Sequence, residues 1–137
     1  MAPVYAREDA VDADEYIDLL VRSTLAERRP VDDREAIAGA LAHSDLVVTA
    51  RADGRLIGAA RAITDFHLQC YLADLAVDAA LQRGGVGLEL QRRLREHLGP
   101  RCVVKLTAAP AAAEYYPRVG YARNERAWVL APSDPLG

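Results

Sequence analysis

Apolar and polar positions along this chain switch between two periods, and the switches mark out its elements. Val4 to Arg7 reads as a short first strand. Asp12 or Asp14 can cap a helix whose apolar face is Tyr16, Ile17, Leu20 and Val21, reaching towards Leu25. Pro30 breaks that pattern, and Asp32 or Asp33 can cap a second helix carrying Ile37 and Leu41. Leu46–Arg51 and Leu56–Ile63 are β-rich runs joined by Asp53-Gly54, a pair that favours the positive φ angles of a tight hairpin. Leu68–Val77 is a further strand, with Asp74 its one charged residue. A helix from about Gly84 to Leu98 follows, with Leu90, Leu94 and Leu98 on one side, and Gly99-Pro100 stops it. Cys102–Thr107 then reads as a strand, Ala111 to about Tyr116 as a short helix and Tyr121–Leu130 as a final strand interrupted around Asn124-Glu125.

The expected order is β, α, α, β, β, β, α, β, α, β. The strand–helix–strand unit from 68 to 107 has the length of a crossover joining two parallel strands. This predicts an α/β (α+β) sandwich in which antiparallel hairpins feed into one parallel pair. No repeat, linker or low-complexity tract interrupts the chain, so residues 1–137 are expected to form a single domain.

Composition narrows the function. About half of the residues are hydrophobic (51%) and the net charge is only -3, which speaks against nucleic-acid binding through a basic surface. No run is long enough for a membrane span, and the first residues lack the build of a signal peptide. The two cysteines, Cys70 and Cys102, both lie in apolar runs and are expected to be buried thiols rather than metal ligands. A cytoplasmic location is the matching expectation.

Chemistry enters at Gln82-Arg83-Gly84-Gly85-Val86-Gly87, between a strand and a helix. The first turn of a helix leaves N–H groups without partners and carries partial positive charge, and glycines let a phosphate approach that backbone. Gln82 and Arg83 add side-chain donors. The loop lacks the Lys-Ser/Thr of a Walker loop, and it is not the dinucleotide fingerprint, which needs three spaced glycines and an acidic residue beyond the following strand. A second segment, Tyr115-Tyr116-Pro117-Arg118-Val119-Gly120-Tyr121, places two adjacent tyrosines on different sides of a short helix. One can pack while the other turns its hydroxyl into a cleft.

Together these segments resemble the GCN5-related N-acetyltransferase (GNAT) superfamily. The first matches its Gln/Arg-x-x-Gly-x-Gly/Ala signature, preceded by the family-like Asp74-Leu75-Ala76-Val77-Asp78. The second matches its later aromatic-Tyr-x-x-x-Gly-Phe/Tyr mark. The resemblance implies a mostly antiparallel sheet whose central parallel pair splays at an acetyl-CoA site, with helices on both faces. It implies that Leu75, Ala76 and Val77, at the bulged end of the fourth strand, pair with the pantetheine arm. It implies that Arg83, Gly84, Gly85, Val86, Gly87 and Leu88 hold the pyrophosphate, with Gln82 lining the approach. Tyr116 would reprotonate the departing thiolate. Asp74 is the candidate base for the amine, directly or through water; His67, Tyr71 and Cys70 are weaker candidates, while His43 and His97 read as helix-surface residues. No metal is implied. The family often has an Asn before the tyrosine helix; here Thr107-Ala108-Ala109-Pro110 has none, and Pro110 suits a helix start.

Three functions fit this reading. One is an N-acetyltransferase acting on a small-molecule or peptide amine by direct attack in a ternary complex. Another is a catalytically inactive CoA-binding regulatory or interaction module. The third uses a longer acyl chain or an oxygen acceptor. The acceptor site is expected among the two N-terminal helices, Leu56–Thr64 and the final strand near Trp128. Acidic residues at 9, 12, 14, 15 and 18 would attract a cation there, whereas Arg61 or Arg123 would read a carboxylate. Exposed edge strands make a homodimer a fitting partner state.

Overall fold

Asp12 and Asp33, rather than Asp14 and Asp32, cap the first two helices. The computed structural model, which describes residues 2–137, shows Asp12 accepting from the Glu15 N–H at 2.9 Å and Asp33 from the Ala36 N–H at 3.0 Å. They open α1 (Ala13–Arg22) and α2 (Arg34–Ala42). Along α1 the buried residues are Tyr16, Leu19 and Leu20, the i, i+3, i+4 set of one face. Val21, expected on that face, lies a further 100° round and is exposed.

The sheet contains β1 (Val4–Arg7), β2 (Leu46–Ala52), β3 (Arg55–Thr64), β4 (Gln69–Val77) and β5 (Val103–Lys105), in the order β1-β2-β3-β4-β5. The first three pairings are antiparallel and β4–β5 is parallel. Asp53 and Gly54 both take positive φ (52° and 79°), the tight hairpin turn that their pairing predicts.

Helix α3 (Val86–Glu96) covers one face, where Val86, Leu90 and Leu94 pack on Leu46, Val48, Ala60, Ala62, Cys70 and Leu72. Full burial of Leu90 and Leu94 is worth roughly 1.5–3 kcal/mol each. Gly58 lets the helix approach, because a Cβ there would stand 3.1 Å from Leu90 Cδ1 and 3.2 Å from Val86 Cγ1. On the other face Tyr16, Leu19, Leu20 and Ile37 pack on Leu56, Ala59 and Ala76. Helices on both faces of a mixed, mostly antiparallel sheet are the architecture the sequence implies.

One expected element is missing. Residues 121–130 form no strand, so the sheet has five strands among the described residues rather than six. Asn124 Oδ1 accepts from the Arg126 N–H at 3.0 Å, a local turn that competes with extended pairing. Trp128, Val129 and Leu130 beyond it are exposed, at 92%, 84% and 60%. β5 is also shorter than the expected run. No helix among the described residues is long and apolar enough to cross a membrane.

Candidate active site

The site begins where β4 loses its second neighbour. β4 and β5 pair only through Gln69–Tyr71 and Val103–Lys105, yet β4 runs on to Val77. From Leu72 onward β3 is its only neighbouring strand; on the other edge the Ala73 and Val77 carbonyls accept from the Arg29 and Gln82 side chains, and the remaining backbone groups meet no strand. A β-bulge marks the change. Arg61 pairs with Asp74 and Ala62 with Leu72, so Ala73 is the extra residue. Leu72 therefore packs on the α3 side while Asp74, two residues later, bonds to α1. The bulge falls at Ala73, ahead of the Leu75–Val77 stretch where it was expected. Leu75 and Val77 are half-buried against the α3-side core, and Ala76 is buried on the other face.

The open edge leads to the glycine loop and the start of α3. The Glu89 N–H makes the first helical bond of α3, to the Gly85 carbonyl at 3.0 Å. The N–H groups of Val86, Gly87 and Leu88 ahead of it meet no acceptor among the described residues. Gly85 takes a φ of +87° and no side chain caps the helix. A Cβ on Gly87 would meet only ordinary contacts, the nearest at 3.6 Å from the Tyr115 hydroxyl and Val77 Cγ2. Packing alone does not demand glycine at 87, so the bare first turn is left free for a ligand to approach. Arg83, exposed and itself at φ 70°, stands beside it. These features fit a pyrophosphate. Gln82 is used differently from the expectation, because its amide donates to the Val77 carbonyl at 3.1 Å and the Ser23 carbonyl at 3.4 Å. It ties the loop to β4 and α1.

Near Gly87 and the Leu75–Val77 stretch lies α4 (Tyr115–Arg118). Tyr115 is anchored, its hydroxyl accepting from Gln91 Nε2 at 3.0 Å. The same amide reaches the Gly87 carbonyl at 3.0 Å, and Gln91 Oε1 accepts from the Tyr121 hydroxyl at 2.9 Å. Gln91 is a buried hub that the sequence reading missed; its only signal is a polar residue next to Leu90 on the inner side of α3. The Tyr116 ring sits edge-on between Tyr115 and Tyr121, with centroids at 5.1 and 5.3 Å. Its hydroxyl has no hydrogen-bond partner among the described residues. Burial, with the neighbouring Tyr121 and Tyr115, pushes its pKa up to about 12, and Arg29 opposes the rise. The phenol is therefore neutral at any physiological pH.

Asp74 is 3% exposed and fully engaged. Its Oδ2 accepts from the Tyr16 hydroxyl and Arg61 Nε, and its Oδ1 from Arg29 Nε, all at 2.7 Å. Burial alone would raise its pKa, but the Arg61 contact and the Arg61 charge, joined by Tyr16 and Arg29, bring it below the usual range. A carboxylate held this way is a buried ionic anchor, and an amine would have to displace a guanidinium to reach it. From sequence Tyr16 reads only as part of the apolar face of α1 and Arg29 is not singled out, since neither stands in a motif. Of the weaker base candidates, Cys70 is buried under α3, His67 is exposed in the β3–β4 connection, and the Tyr71 hydroxyl reaches Thr107 Oγ1 at 3.4 Å.

With this geometry the comparisons with known proteins agree. The family profile described as "Acetyltransferase (GNAT) domain" matches residues 10–129. The chain belongs to the GNAT acetyltransferase family. Among solved structures, a GNAT-family acetyltransferase from Streptococcus pneumoniae TIGR4 superposes with a TM-score of 0.73 at 17% identity, covering 93% of this chain and 98% of its own. The aminoglycoside N-acetyltransferase AAC(6')-Iy, solved with CoA, gives 0.70 at 18% identity, covering 96% and 95%. An aminoglycoside acetyltransferase from an uncultured soil metagenomic sample, solved with sisomicin, gives 0.64 at 18% identity, covering 94% of each chain. At these identities the likeness establishes the GNAT fold. No functionally curated protein matches the sequence significantly.

Proposed function

We propose that this GNAT protein transfers the acetyl group of acetyl-CoA directly to an amine while both are bound. One observation carries the reading: the β4 edge left by β5 from Leu72 onward runs into a bare, glycine-rich helix start, beside which stand the Tyr115 hydroxyl and, edge-on to its ring, Tyr116. Acetyl-CoA supplies an activated thioester. The first-turn N–H groups of α3 and Arg83 bind its pyrophosphate. Backbone groups of the Leu72–Val77 edge other than the Ala73 and Val77 carbonyls pair with the pantetheine arm, and an N–H there steadies charge building on the thioester oxygen, typically worth ~3–4 kcal/mol.

Tyr116 serves the leaving sulfur. A phenol with a pKa of about 12 is a weaker acid than a thiol near ~8.5, so it helps most by donating a hydrogen bond as negative charge gathers. The proton lost by the amine nitrogen balances the one gained by sulfur. Asp74 orders the acceptor side through Arg29, Arg61 and Tyr16 rather than taking the proton itself. The related aminoglycoside enzymes support a small-molecule amine as acceptor.

The test is turnover, followed by thiol release, with sisomicin, spermidine, tyramine and glycinamide as acceptors and Tyr116→Phe as control. Acetylation of one of them, slowed in the variant, supports the proposal. Tight binding of acetyl-CoA without turnover on any amine would favour the inactive CoA-binding module instead.

A further inference from the structure

The Ala73 bulge is held from outside the sheet. Arg29 follows the 3-10 turn Leu25–Arg28, in extended conformation immediately before Pro30. It lies far in sequence from every segment with an assigned role. Its planar guanidinium nonetheless reaches the point where the sheet opens. Nη2 donates to the Ala73 carbonyl at 2.7 Å, Nε donates to Asp74 Oδ1 at 2.7 Å, and Nη1 donates to its neighbour's carbonyl, that of Arg28, at 2.9 Å. Two adjacent acceptors, a bulge carbonyl and the next residue's carboxylate, are thus gripped by one rigid fork. A lysine ammonium, a single point charge on a flexible stem, cannot reproduce that pair of contacts.

The contacts separate holding the fold from setting the site. Asp74 keeps Tyr16 and Arg61 even without Arg29, so its buried charge does not become unpaired. What Arg29 alone supplies is the partner of the Ala73 carbonyl. That peptide lies between the paired part of β4, ending at Tyr71, and the open part through Val77. Its orientation sets the angle at which the open edge leaves the sheet. The same guanidinium acts on Tyr116, where it opposes burial and the neighbouring Tyr121 and Tyr115.

We propose that Arg29 is a positioning residue for acetyl transfer: by clamping the Ala73 carbonyl to Asp74 it fixes the bend in β4 that presents the open backbone edge to the thioester, opposite Tyr116. This rests on the acetyl-transfer reading and adds to it a residue in the loop after α1. It links the acceptor-side helix to the acyl-side strand, so a shift of that loop changes the angle of the open edge.

Arg29→Lys, Arg29→Gln and Arg29→Gly are compared with the wild type and with Arg34→Gln, which breaks only an exposed pair with Asp14. Acetyl-CoA affinity is measured by calorimetry, and turnover with the fastest amine of the screen. Backbone amide resonances are followed across β4 and the glycine loop. The expected result is a kcat about 10²-fold lower in all three variants, as for a misplaced reacting geometry. Acetyl-CoA affinity should stay within about twofold, a split that marks a loss felt in the transition state. Amides of Ala73, Asp74 and Leu75 shift while those of Gly84–Gly87 do not. Added guanidinium ion restores part of the rate of Arg29→Gly and changes nothing in Arg34→Gln. A folded Arg29→Lys that keeps wild-type kcat would overturn the proposal. So would a fall in kcat matched by an equal fall in acetyl-CoA affinity. A wild type that neither binds acetyl-CoA nor acetylates any amine removes the transfer reading, and this inference with it.

Discussion

The two halves of β4 share a sequence style and have opposite tasks. From Gln69 to Tyr71 the strand lies between β3 and β5 with both edges bonded; from Leu72 to Val77 it has β3 alone. In the first half Cys70 sits in the α3-side core. In the second, after the Ala73 bulge, Asp74 is tied to α1, Arg29 and Arg61, and an edge of backbone is left open. The difference teaches that one inserted residue and a buried ion cluster convert a strand paired on both sides into one with an open edge. Strand edges are usually liabilities; here the glycine loop and α4 frame this one.

Substitutions can break or sharpen that contrast. The largest stability effect should come from Asp74→Ala, which leaves Arg29 and Arg61 without their buried partner. A loss of about 3–5 kcal/mol is expected by denaturant titration. Leu72→Ala, at the junction of the halves and 3% exposed, should cost roughly 2–5 kcal/mol through its cavity while acetyl-CoA affinity of the folded protein holds. Tyr116→Phe should invert the pattern, with kcat about 10²-fold lower and an unchanged unfolding curve.

A pH series gives a further check. Because the Asp74 pKa is lowered in the folded state, its stabilising contribution is complete above the unfolded value near ~3.9 and is lost as pH falls below that through the folded value. Asp74→Asn should flatten the acid limb of stability in that window. Trp128→Ala should be the smallest change, within about 0.5 kcal/mol, since the residue is 92% exposed.

What sequence revealed follows from how local each feature is. The Asp53-Gly54 hairpin, the α3 stripe of Leu90 and Leu94 and the bare glycine turn each depend on a few neighbouring residues, and all were legible. The division between Tyr115 and Tyr116 was legible too, since adjacent helical residues must diverge. The Ala73 bulge was displaced in the reading because its position depends on how β3 pairs with β4. Arg29 reaches Asp74 across 45 positions and Gln91 reaches Tyr115 across 24, and such contacts have no signature in either local pattern. The absent final strand is the converse. Trp128-Val129-Leu130 has β character, but propensity makes no strand without pairing.

The central claim, that the bare start of α3 and the open edge of β4 form an acetyl-CoA site, is tested most directly by calorimetry with acetyl-CoA on the wild type and on Gly87→Glu. A Cβ at position 87 meets only ordinary contacts, and an acidic residue in the first helical turn favours the helix while repelling a phosphate. Binding at roughly micromolar Kd, abolished in a folded Gly87→Glu, is the predicted result. A folded wild type that does not bind, or a variant that binds equally well, would contradict the account.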